Sequence, residues 1–149
     1  MKIRHLLVLS ALLASAATTA QAQFQKPEDA VKYRQGSLFV MGQHFSRLGA
    51  MANGRVPFNA DVAQQNAALV LAMSKLPWSG FTPDTQALES RAEPRLWTEM
   101  DKFKAASERY MAEAVKLDAA AKTGNLDAIK KAFGETAASC KACHDAYRQ

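Results

Sequence analysis

The chain has 149 residues, 48% of them apolar and 22% charged, with 19 Lys and Arg against 14 Asp and Glu and only two cysteines. That length allows one domain with one core and excludes a disulfide-stapled scaffold. The basic residues are interleaved with acidic ones, so neither a nucleic-acid surface nor a membrane-binding basic patch is expected.

The first residues have the order of an export signal. Met1, Lys2, Arg4 and His5 precede an apolar run from Leu6 to Ala17, and Ala20-Gln21-Ala22 is a small-x-small cleavage pattern. Residues 1–22 are read as a removed signal peptide and residues 23–149 as one domain. The apolar run is too short to span a bilayer, and nothing later is longer. Cleavage takes Lys2 and Arg4 away and lowers the net charge from +5 to +3. The mature chain is expected outside the cytoplasm.

Four amphipathic helices follow. In the first, from Pro27 to Ala52, Val31, Leu38, Met41, Phe45, Leu48 and Ala52 recur at steps of three and four, and Arg34 falls on the same stripe. Pro27, Glu28 and Asp29 suit its first turn, and Asn53-Gly54 supplies a left-handed stop. The second runs from about Asp61 to Leu76, with Val62, Leu69, Met73 and Leu76 on its inner face, Asn59 or Asp61 as cap and Pro77 as terminator. Residues 78–93 lack periodicity and read as an irregular connection. Pro94 opens a third helix with the stripe Leu96, Met100, Phe103, Ser107, Tyr110, Ala114 and Leu117, stopping near Gly124. Asn125 caps the fourth, which carries Ile129, Phe133, Ala137, Cys140, His144 and Tyr147 on one face. No segment alternates with period two, so the fold class is all-α, an antiparallel four-helix bundle.

Cys140-Lys141-Ala142-Cys143-His144 is the C-x-x-C-H pattern of covalent haem attachment. On a helix, positions three and four apart share a face, so two thiols reach two vinyl groups along one porphyrin edge and His144 sets its imidazole under the iron. Three other readings are weaker. A thioredoxin-like pair needs a strand before its helix, and a zinc site needs a fourth ligand where only His44 remains in the mature chain. A disulfide within one helix would leave His144 without a role. The cofactor expected is therefore one haem c per chain, covalent through Cys140 and Cys143. Arg34, inward on the first helix, either pairs with a haem propionate or extends to solvent at the bundle end. Met41 and His44 are the first-helix candidates for a second axial ligand; Met41 shares the inner stripe and His44 is displaced from it.

With this pattern in place the mature chain resembles the cytochrome c′ family, a standing example of the up-down-up-down bundle. The resemblance lies in residues 26–35 (KPEDAVKYRQ), Leu76-Pro77-Trp78 and residues 139–148 (SCKACHDAYR). It implies that Arg34 and Gln35 lie beside the haem and that Leu38 covers the vacant side of the iron, where low-spin relatives carry a methionine ligand. It further implies that Met41, Trp78 and Phe81 line the distal pocket and that Arg148 lies near His144. Residues 88–94 align poorly with the family's acidic haem contact, which stays unassigned.

The function so implied is a periplasmic haem protein with a five-coordinate, high-spin iron that binds nitric oxide and carbon monoxide and exchanges electrons, and not an enzyme. The distal side would be apolar and poor in hydrogen-bond donors, so bound dioxygen would gain nothing there. A dedicated periplasmic electron carrier with a six-coordinate haem is the alternative, and Leu38 speaks against it. Relatives dimerise through the first two helices, which suggests a homodimer through Phe39, Val70 and Leu71; the redox partner is not readable.

Overall fold

The computed structural model describes residues 23–149; the expected signal peptide, residues 1–22, lies outside them. Four long helices make the bundle: α1 (Pro27–Ala52), α2 (Ala60–Met73), α4 (Met100–Lys122) and α5 (Leu126–Tyr147). A single helical turn, α3 (Arg95–Thr98), precedes α4, and two 3-10 turns, Pro77–Gly80 and Pro83–Thr85, lie in the connection from α2 to α3. Each long helix packs on the next, and α5 also contacts α1, closing the antiparallel bundle. No strand occurs among the described residues, only an isolated bridge between Ala92 and Arg148, and no helix among them is long and apolar enough to cross a membrane.

The helix ends follow local chemistry. The Asn59 side chain accepts from the Val62 amide at 3.0 Å and Asn125 accepts from the Ala128 amide at 3.0 Å, each satisfying an orphan donor of a first turn. Gly54 and Gly124 have φ of 67° and 66°, conformations that end α1 and α4 without a Cβ penalty. The main core joins Met41, Leu48 and Met51 of α1 to Val70, Tyr110, Leu117 and Ile129. A second cluster of Leu96, Phe103 and Tyr147 sits at the end of the bundle where the long connection crosses.

Three expectations change. The inner face of α2 is Ala63, Asn66, Ala67 and Val70, whereas Val62, Leu69 and Leu76 are exposed, the first two at 41% and 44%. Apolar residues surround this helix, so its periodicity names no single face, and small Ala63 and Ala67 are the ones that let neighbouring helices approach. The helix also ends at Met73, before Pro77: the Ser74 hydroxyl donates to the Leu71 carbonyl and the Trp78 indole donates to the Ser74 carbonyl at 2.6 Å. The third helix is in fact two, broken at Glu99, whose ψ of 36° leaves helical geometry.

Candidate functional site

Between α1, the Pro77–Gly80 turn, α4 and α5 lies an open cavity of about 850 Å³. Its walls bring together Arg34, Gln35, Leu38, Met41, Trp78, Phe81, Cys140, Cys143, His144 and Arg148, residues that the sequence spreads over three separate segments. Phe45, Phe103 and Tyr110 complete the apolar lining.

On the α5 wall, helical spacing sets Cys140, Cys143 and His144 on one face. Both thiols are half-buried and neither is in a disulfide. Burial first, and the neighbouring Cys143 second, push the Cys140 thiol up to about 11, and burial raises Cys143 as well. These are thiols kept protonated in an apolar wall, unlike the depressed thiols of a redox pair. Desolvation, followed by the charge of Arg148, holds His144 below the ordinary imidazole range against the opposing pull of Asp145. The neutral imidazole, the metal-binding form, is thereby favoured. A guanidinium nitrogen of Arg148 stands 3.5 Å from His144 Nδ1.

The α1 wall presents Arg34, Leu38 and Met41 at i, i+4 and i+7. Arg34 is only 2% exposed, so it does not extend to solvent. One of its terminal nitrogens donates to the Gly80 carbonyl at 2.8 Å and to Thr85 Oγ1 at 2.7 Å, and the other donates to Ser90 Oγ at 3.1 Å. Its guanidinium carbon lies 4.5 Å from the centre of the Phe81 ring. No carboxylate pairs with it among the described residues, and burial lowers its pKa. A buried cation with only neutral partners, on the wall of a cavity, leaves an anionic group to be supplied by whatever fills that cavity. The close approach that lets Gly80 accept from Arg34 depends on a missing side chain, since a Cβ there would fall 2.6 Å from the Ala30 carbonyl oxygen.

Tyr110 and Trp78, also on the wall, point their polar hydrogens at protein acceptors. Tyr110 donates to Met41 Sδ at 2.9 Å, and the Trp78 indole is engaged with Ser74. Burial raises the Tyr110 phenol well above its ordinary value. His44 does not line the cavity; its Nδ1 lies 2.9 Å from Asn66 Oδ1 in the contact between α1 and α2. From the poorly aligning segment the cavity takes Ser90, Arg91 and Ala92 and no carboxylate.

Sequence reasoning missed Thr85 and Ser90, which hold Arg34 across separations of 51 and 56 residues, and it assigned Tyr110 to the core alone. A phenol on an inner stripe was a signal, because its hydroxyl must find an acceptor. The donor set fits a covalently attached haem: two protonated thiols and a neutral imidazole on one wall, an apolar wall opposite, and an uncompensated guanidinium at the side. A zinc site fits less well, as no group of three or more His, Cys, Asp or Glu converges as a ligand set among the described residues.

A family model described as cytochrome C' matches residues 29–148. Cytochrome c' of Rubrivivax gelatinosus is 47% identical over 85% of this chain and 99% of its own length, and that of Alcaligenes xylosoxydans xylosoxydans is 44% identical over 85% and 98%. A crystal structure of the Rubrivivax gelatinosus protein superposes with a TM-score of 0.82, covering 85% of this chain and all of that one. A nitric oxide complex of a leucine mutant of cytochrome c prime from Alcaligenes xylosoxidans superposes with a TM-score of 0.79 at 42% identity, covering 85% and 98%.

Proposed function

Because the chain belongs to the cytochrome c′ family and so carries covalent haem c, we propose that it is a periplasmic haem protein whose five-coordinate, high-spin iron binds nitric oxide and carbon monoxide and exchanges single electrons. When bound, the haem supplies an iron that accepts a diatomic ligand and one electron. Everything else is assigned to the chain's own residues. Cys140 and Cys143, both free thiols on one face of α5, would hold the ring edge through two thioether bonds, each formed by adding S–H across a vinyl group with no oxidant needed. His144 would offer its imidazole nitrogen from the same helix face, where desolvation first and the charge of Arg148 second favour the neutral ring.

Leu38 supplies an apolar surface on the facing wall with no atom able to ligate iron. Arg34 would meet a propionate with the donors that Gly80, Thr85 and Ser90 leave unused; a guanidinium has five N–H groups in all. The observation that carries the reading is the pairing of walls: Cys140, Cys143 and His144 on one side, Leu38 and no histidine on the other. Nitric oxide complexes of two leucine mutants of one relative, 42% identical to this chain, support the choice of ligand. An absorption spectrum of the haem-loaded protein tests it: high-spin bands that shift on adding nitric oxide are expected.

The mature protein begins after Ala22 in this reading and pairs with a second copy through α1 and α2. Val70 is fully buried and leaves the surface expected for that contact, whereas Phe39 at 66% exposure, Val62 and Leu69 supply it. A six-coordinate electron carrier is the second reading, because Met41 lies on the cavity wall. Catalytic turnover is not part of either.

A further inference from the structure

Met41 on α1 and Tyr110 on α4 face each other across the bundle, both buried and both on the cavity wall. Two constraints meet at their 2.9 Å hydrogen bond. A phenol in an apolar wall must donate to something, and a thioether sulfur, although a weak acceptor, is what stands within reach. That same sulfur is the atom with which a methionine ligates haem iron in electron-carrying c-type proteins. Met41 follows Leu38 by three positions, so its backbone places it on the face toward the cofactor, and only the direction of its side chain decides whether the sulfur turns to the iron or away. Tyr110 cannot follow the sulfur inward, since its ring packs edge-on against Trp78 with centroids 6.2 Å apart, and Trp78 is itself tied to Ser74.

We propose that Tyr110 is a positioning residue that holds the Met41 sulfur to the α4 side of the cavity and so keeps the second axial position of the iron open. The inference rests on the five-coordinate reading above and names the device that maintains it in a chain where a ligating side chain lies on the wall. Met41 flexes at three bonds and would otherwise sample the iron.

The test uses haem-loaded wild type, Tyr110→Phe, Met41→Leu and the double variant, with ferric and ferrous absorption and resonance Raman spectra recorded for each. Phe keeps the ring packing and removes only the hydroxyl. Tyr110→Phe should show a low-spin, methionine-ligated fraction raised roughly two- to tenfold over wild type, the range that losing one neutral hydrogen bond spans. The double variant should lose that fraction, and Met41→Leu alone should stay high-spin. Tyr110→Phe spectra that superimpose on a high-spin wild type overturn the positioning role and leave the five-coordinate reading standing. A low-spin fraction that persists in the double variant also overturns it, because the ligand is then not Met41. A wild type already low-spin overturns both.

Discussion

Replacing Arg34 with Leu separates two roles that the structure gives this residue. The substitution removes three hydrogen bonds from a charged donor, to the Gly80 carbonyl, Thr85 Oγ1 and Ser90 Oγ. At about 1.5–3 kcal/mol each the gross loss is about 5–9 kcal/mol. Against this, a guanidinium only 2% exposed no longer has to be desolvated, a saving of several kcal/mol. Thr85 keeps its own bond to the Thr82 carbonyl at 2.7 Å, and so is not wholly orphaned. A net destabilisation of about 2–4 kcal/mol follows. Urea unfolding of the haem-loaded protein, followed by circular dichroism at equal haem content, measures it. Removing a positive charge beside the cofactor also disfavours the added electron, so the reduction potential should fall. An unfolding free energy within about 0.5 kcal/mol of wild type would refute the anchoring role, and an unshifted potential would refute the pairing with a propionate.

Gly80→Ala forces a Cβ to 2.6 Å from the Ala30 carbonyl oxygen and 2.9 Å from Arg34 Cβ, both rigid neighbours, and should cost about 1–3 kcal/mol in the same unfolding assay. Leu69→Glu places a charge on the exposed face of α2 and should yield monomers by sedimentation equilibrium while leaving the absorption spectrum unchanged. Leu38→Met puts a thioether on the wall facing His144 and should convert the spectrum to low-spin and slow nitric oxide binding at least about tenfold, since the methionine must leave first.

What the sequence made legible follows from how local each signal is. The caps at Asn59 and Asn125 and the stripe from Phe103 to Leu117 depend on neighbours three or four positions away, and the structure places them as expected; the C-x-x-C-H motif is as local and lies along α5. Arg34 announced itself as a charge on an apolar stripe, but its partners lie 46 to 56 residues away, within a stretch without periodicity. That stretch is held by Arg34 together with scattered contacts such as the Trp97 indole to the Thr82 carbonyl and the bridge between Ala92 and Arg148, instead of by a repeating pattern. The register of α2 failed for the opposite reason: Val62, Leu69 and Leu76 form as good a stripe as Ala63, Ala67 and Val70. Large apolar residues facing outward on a helix mark a surface that another chain can cover, so the misread face is also the one assigned to the dimer.

The absorption spectrum of the purified, haem-loaded protein, ferric and ferrous, before and after nitric oxide at neutral pH, tests the central assignment most directly. High-spin bands that change on adding the gas are the predicted result, with His144 as the single protein ligand and the Leu38 side open. Low-spin spectra indifferent to the gas would contradict it and place the Met41 sulfur, the ligating atom already on the cavity wall, on the iron of an electron carrier.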